Sequence, residues 1–219
     1  MENKINYQFR QGNEEYFIED IGKVDNKRVY AFFKRLIDIF ASLSGILLLW
    51  FPMLIIGLLV KITSKGPMIY KQERLTLNGK SFMLYKFRSM RIDAEKNGAQ
   101  WAKENDTRVT KFGKFLRKCR LDELPQLINI LKGDMSIVGP RPERPEFYKE
   151  FETYIHGFSQ RLKVKCGLTG YAQIHGGYDI TPQDKVKLDI HYIKNRSFWF
   201  DIKIIFGTIA VLFNHKGAR

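Results

Sequence analysis

At 219 residues the chain has room for one domain plus a membrane element. Its net charge of +14 points to anionic partners: nucleic acid, acidic lipid headgroups or phosphorylated substrates. Two distant cysteines, Cys119 and Cys166, exclude a disulfide framework and a cysteine-based zinc site, and the four histidines lack ligand spacing.

Residues 1 to about 28 are polar and weakly periodic, which predicts a loose N-terminal arm. Residues 29–64 read as a membrane element. Its core, Ile39 to Val60, is a run of 22 residues without one charge, flanked by Lys34 and Arg35 before it and Lys61 and Lys65 after it. Pro52 lies inside this run, lacks an N–H and crowds the preceding turn, so the helix is expected to kink or break there. Two half-helices entering and leaving by one face would keep both basic flanks cytoplasmic; a kinked single-pass helix is the competing shape. The run starts too far from Met1, and lacks the small-residue cleavage pattern, for a secretory signal. Ser64-Lys65-Gly66-Pro67 closes the element with turn chemistry.

Residues 65–219 read as one domain. Met68 to Tyr70 and Phe82 to Phe87 are predicted strands, with Asn78-Gly79 as a hairpin turn between them. A basic helix is expected from near Thr110, and a second from about Asp122 to Leu131 with Asp122 as its N-cap. Met135 to Val138 reads as a short strand, Glu146 to Phe158 as a helix and Gly167 to Gly170 as a turn. Thr181-Pro182 opens a helix to about Ile193. The apolar segment Phe198 to Phe213 suits equally an interfacial amphipathic helix or a core helix. Residues 61–120 carry 16 Lys/Arg against 5 Asp/Glu, a block placed to meet headgroups just after the apolar run.

Gly79-Lys80-Ser81 resembles the end of a phosphate-binding Walker loop, but Arg74 stands where that loop needs glycine. The richest constellation runs from Arg117 to Arg141. Asp122 and Glu123 sit among Arg117, Lys118 and Arg120, and the rigid Pro140-Arg141-Pro142 follows. Cations and a helix N-terminus would keep a carboxylate ionised, ready to attack phosphorus or to bind Mg²⁺. Adjacent helical residues do not face each other, so the two acids are expected to hold different jobs. An isolated Asp-Glu pair would merely cap the helix.

These residues carry a resemblance. Lys34-Arg35 with Asp38, Ser64-x-Gly66-Pro67, Gln72-x-Arg74 and Lys86-Phe87-Arg88-Ser89-Met90 match, in order, segments of the small monotopic phosphoglycosyl transferases among bacterial sugar transferases. So do Leu121-Asp122-Glu123-Leu124-Pro125-Gln126, Lys132-Gly133-Asp134-Met135-Ser136, Val138-Gly139-Pro140-Arg141-Pro142 and Gly167-Leu168-Thr169-Gly170-Tyr171-Ala172-Gln173. The match covers about residues 34 to 213. Two positions depart from it: Thr76, where the family often has glycine, and Cys166, where proline usually precedes the Gly-Leu-Thr-Gly turn.

The resemblance implies an α+β monotopic membrane protein. It would comprise a re-entrant helix-break-helix hairpin turning at Pro52 and a compact, mostly helical cytoplasmic catalytic domain with a few short strands and interfacial amphipathic helices. The short arm is expected to leave no room for the extra transmembrane domain of larger relatives. The implied reaction moves a sugar-1-phosphate from a UDP-sugar to a polyprenol phosphate such as undecaprenyl phosphate, releasing UMP, as the first step of a bacterial surface glycan. Asp122 resembles the nucleophile and a Mg²⁺ ligand, and Glu123 the partner that orients or deprotonates the incoming group. Lys86, Arg88 and Arg117 resemble phosphate-site cations, and Pro140, Arg141 and Pro142 a nucleotide-binding loop. The implied setting is the cytoplasmic face of the bacterial inner membrane, among membrane lipids, with homodimerisation left open. A competing reading is a membrane-anchored basic protein that grips nucleic acid or acidic lipid without chemistry. No nucleic-acid module is readable, so no nucleic-acid partner is expected.

Overall fold

A computed structural model describes residues 15–96, 98, 106–176 and 180–214. In chain order the elements are β1 (Tyr16–Phe17), α1 (Arg28–Thr63), β2 (Ile69–Leu75), β3 (Ser81–Phe87), α2 (Lys111–Lys118) and α3 (Gln126–Lys132). There follow β4 (Ser136–Val138), α4 (Pro145–Glu152), β5 (Ile155–His156), β6 (Gly167–Thr169), α5 (Tyr171–Gly176), α6 (Pro182–Asn195) and α7 (Phe198–Asn214). The fold is mixed helix and strand.

Local signals account for several of these. Asn78 and Gly79 both take positive φ, which lets β2 and β3 pair antiparallel with Ile69 opposite Phe87 and Leu75 opposite Ser81. Thr110 caps α2 by accepting from Gly113 N at 2.9 Å, and Thr181 caps α6 by accepting from Asp184 N at 3.1 Å. The expected helix from Glu146 is shorter than predicted: α4 ends at Glu152, and β5 and a 3₁₀ segment Phe158–Lys163 occupy the rest. Where a turn was expected at Gly167, β6 pairs in parallel with β4, Ser136 opposite Gly167 and Val138 opposite Thr169.

The expected loose arm is only partly within view. Residues 1–14 lie outside the described residues, whereas 15–27 lie along the domain. There β1 pairs with β5, Ile21 N donates to Gln160 Oε1 at 2.7 Å, and Ile18, Ile21 and Val24 pack on the main core. That core joins α4, α6 and α7 through Phe151, Phe158, Val186, Ile193 and Ile204.

Helix α1 is long and apolar enough to cross a membrane, and most of it is bare. The chain stays helical through Pro52, so the two separate half-helices expected from the sequence form one element. Its packed positions fall at both ends. Near the start, Arg35 donates to the carbonyls of Ile130 (2.7 Å) and Leu131 (2.8 Å), closing the C-terminus of α3. Asp38 accepts from Ser136 Oγ and Ile137 N, at 3.1 and 2.9 Å. Near the end, Ile56 and Val60 pack with Phe87 and Leu116. Between them Leu47, Leu48, Trp50, Phe51, Leu54 and Ile55 are exposed.

Helix α7 packs one face on the core and leaves apolar side chains on another. Asp201 and Ile204 are buried, while Trp199, Phe206 and Ile209 lie exposed.

Candidate active site

Two elements and the segments after them bring the charged groups together. Strand β3 carries Lys86 next to its last residue, Phe87, and Arg88 and Ser89 follow directly. Helix α2 stands close enough to Ser89 that a side chain at Gly113 would collide with its carbonyl. That approach lets Arg117 Nε donate to Ser89 Oγ at 2.9 Å. Beyond α2, Arg120 adopts φ 54° and turns the chain into a 3₁₀ segment, Leu121–Glu123. Asp122 therefore sits in a tight turn and does not cap a helix. The helix proper begins at Gln126, after Pro125, whose missing N–H is harmless at a helix start.

The two acids are both buried but differently engaged. Glu123 pairs with Lys86 at 3.0 Å and with both terminal nitrogens of Arg141. Burial alone would raise its pKa, but the cations Arg141 and Lys86 outweigh burial and hold the carboxyl well below the usual range. Asp122 has neither an ion pair nor a hydrogen bond among the described residues and lines the cavity. Burial raises its pKa, Lys86 opposes, and the neighbouring Glu123 charge adds to the rise. Lys86, Arg117 and Arg141 act to lower the Asp122 pKa, as expected of surrounding cations, but burial outweighs them, and the two that pair directly with a carboxylate here, Lys86 and Arg141, pair with Glu123.

A cavity of about 700 Å³ is lined by Lys86, Arg88, Arg117, Asp122 and Arg141. The structure thus gathers five of the predicted residues on one wall system, with Glu123 behind two of them. Arg88 has a second task. Its Nη2 donates to the carbonyl and hydroxyl of Ser64, each at 2.7 Å, and ties the cavity to the end of α1. Its Nε and Nη1 are buried without a protein partner. Pro140 and Pro142 do not line the cavity; they shape the loop that carries Arg141. Pro52 lies on α1, outside the site.

That loop is held by the two Gly-rich motif segments and by buried charges, of which Arg161, Asp189, Glu143 and Lys185 were not singled out in the sequence reading. Gly139 N donates to Thr169 O and Gly167 N to Pro140 O, both at 2.9 Å, an approach too close for a side chain at Gly139, Gly167 or Gly170. Arg161 donates to Arg141 O at 2.8 Å and to Asp189 at 2.7 Å, and its guanidinium lies 4.8 Å from the Phe158 ring centre. Glu143 pairs with Arg74 at 3.2 Å and with Lys185; burial opposes its ionisation, yet Lys185 and Arg74 bring it down to about 2. Arg74 had a signal, its place in the Gln72-x-Arg74 match. Arg161 and Asp189 had none, because their partners are distant in sequence.

Among the described residues no cluster of three or more His, Cys, Asp or Glu could hold a metal. Of the cavity-lining carboxylates, Glu143 is paired as above and Glu95 pairs with Arg144 at 2.9 Å, which leaves Asp122 uncommitted.

Comparison with known proteins places this geometry. The family described as bacterial sugar transferase matches residues 29–215. The chain is 43% identical over 202 residues to the UDP-N-acetylgalactosamine-undecaprenyl-phosphate N-acetylgalactosaminephosphotransferase of Aeromonas hydrophila, covering 91% of this chain and 48% of that protein. It is 45% identical over 191 residues to the UDP-glucose:undecaprenyl-phosphate glucose-1-phosphate transferase of Escherichia coli K12, covering 84% and 41%. It is 41% identical over 208 residues to the undecaprenyl-phosphate galactose phosphotransferase of Salmonella typhimurium, covering 88% and 43%. The chain thus spans less than half the length of these relatives. With the family matched from the start of α1 to the end of α7 and the acidic pair set in a basic cavity, the chain belongs to the bacterial sugar transferases.

Proposed function

We propose that this chain transfers a sugar-1-phosphate from a UDP-sugar to a polyprenol phosphate in the bacterial inner membrane, as the opening step of a surface glycan. The observation that carries this reading is the division of labour between the acids: Glu123 is consumed by two cations, while Asp122 faces the cavity unengaged.

In the first step a carboxylate oxygen of Asp122 attacks the β-phosphorus of the donor. The bond from that phosphorus to the bridging oxygen breaks, and UMP leaves with the electron pair. The sugar phosphate stays on Asp122 as an acyl phosphate. In the second step a phosphate oxygen of the polyprenol phosphate attacks the same phosphorus and the Asp122 carboxylate departs. Splitting the transfer lets one cavity serve a soluble donor and a lipid acceptor in turn.

Glu123 suits positioning better than proton abstraction, since its depressed pKa makes it a poor base. It fixes Lys86 and Arg141 where negative charge builds up on the transferring phosphoryl group. The unsatisfied Arg88 nitrogens are suited to an anionic oxygen. The residues also fit Mg²⁺, which is commonly bound by one or two carboxylates plus substrate phosphates; Asp122 would be its protein ligand, and the ion would neutralise diphosphate charge.

Both ends of α1 dock on one domain, which supports entry and exit through the cytoplasmic face, with the exposed middle around Pro52 deepest in lipid. The relatives' names cover three sugars, so the donor is best found by a panel. With polyprenol phosphate present, one or more UDP-sugars should release UMP, and Asp122→Asn should lower that rate at least ~10³-fold. Mass spectrometry of donor-quenched wild type should find the sugar phosphate on the Asp122 peptide. Product formation without that adduct, or normal turnover by Asp122→Asn, would overturn the mechanism.

A further inference from the structure

A second cavity, of about 710 Å³, lies away from the acidic pair, where the start of α1 meets the turn between α6 and α7. Its lining combines the cations Lys27, Arg28 and Arg196 with the apolar Val29, Phe33, Ile37 and Phe198. On α1, Val29, Phe33 and Ile37 recur every four residues, so they make one exposed stripe about 12 Å long, at ~1.5 Å per residue, running toward the apolar run.

Among the described residues none of these cations has an ion-pair partner. Arg196 is 8% exposed, yet its donors go only to backbone carbonyls, those of Ile193 at 3.2 Å and Asp25. Lys27 Nζ donates to Arg196 O at 2.8 Å, and Arg28 has no ion pair among the described residues. The nearby Asp25 carboxylate accepts from the Lys27 backbone N–H at 3.2 Å. A buried guanidinium is normally matched by an anion. A ligand supplying one here must also be apolar at its other end and reach the site from the bilayer.

We propose that this groove binds an anionic membrane phospholipid, its phosphate among Lys27, Arg28 and Arg196 and an acyl chain along Val29, Phe33 and Ile37. Such a lipid would complete the junction of α1 with α7 and fix the angle at which α1 leaves the domain.

The test uses the full chain, delipidated in detergent and given phosphatidylglycerol and phosphatidylcholine of matched acyl chains. Native mass spectrometry should show preferred retention of phosphatidylglycerol. Lys27→Glu with Arg28→Glu should weaken it about tenfold while phosphatidylcholine is unchanged. Ile37→Trp, which keeps the cations and fills the groove, should lower retention of both lipids. A diazirine phosphatidylglycerol should label the peptides bearing residues 27–37 and 196–198. Equal retention of the two lipids, indifference to charge reversal, or labelling elsewhere would overturn the proposal. So would displacement of phosphatidylglycerol by equimolar polyprenol phosphate, which would make the groove an acceptor site.

Discussion

Asp122 and Glu123 are neighbours in one 3₁₀ turn with pKa values displaced in opposite directions, and this has consequences for stability as well as chemistry. A raised carboxyl is protonated more readily folded than unfolded, so stability falls as pH climbs from the unfolded value, near ~3.9, through the folded one. Asp122→Asn should therefore be more stable than wild type at neutral pH by about 1–2 kcal/mol, with the gap closing in acid. Thermal scans in detergent at stepped pH would show this, and a variant less stable at neutral pH would count against a destabilising buried Asp122 charge. Glu123 has the opposite sign. Its contribution is present above the unfolded value, near ~4.3, and is lost as pH falls through its depressed folded value. Glu123→Gln should cost about 2–4 kcal/mol at neutral pH, because Lys86 and Arg141 lose their partner. The same scans check it, the deficit shrinking in strong acid. The sequence revealed both acids and the cations, but not which acid takes which cation, since that depends on where Arg120 turns the chain.

Among the elements, those with local signals were legible. The Asn78-Gly79 hairpin and the caps Thr110 and Thr181 needed only neighbours in sequence. The parallel pairings of β4 with β6 and β1 with β5 join segments too short and too distant for any periodicity to show. The two departures from the family pattern illustrate the difference. Read along the chain, Thr76 and Cys166 are unrelated; in the fold they meet. Cys166 N and Sγ approach Thr76 Oγ1 at 3.4 and 3.3 Å, and that hydroxyl donates to Asp134 O at 2.9 Å. Proline at 166 would have no N–H to satisfy, whereas cysteine has one, and Thr76 supplies the acceptor. Thr76→Gly should thus cost about 1–3 kcal/mol alone, and less when Cys166→Pro is already present. A double-mutant cycle by thermal unfolding measures the coupling; simple additivity would separate the two positions.

At the scale of the whole molecule, the long apolar helix α1 and the domain that follows it are one packed unit. Arg35 and Asp38 hold one end of α1 to α3 and β4, while Val60 and Ser64 hold the other to β3 and Arg88. Cysteines placed at Lys34 and at Lys61 should both resist an impermeant thiol reagent in intact cells and react after lysis. Labelling at one flank alone would show that the helix spans. The length and flanks of this helix were legible along the chain; the contacts that decide its path were not, because they come from α3, β4 and β3, distant in sequence. If the helix enters and leaves by one face, as proposed, an anchor whose two ends return to the same body has no need to match the thickness of the sheet it enters. Thinner and thicker bilayers should hold this protein at the same depth, where a spanning segment would tilt or stretch its surroundings. The height of the reaction cavity above the lipid is then a dimension of the protein itself, set by two docking contacts.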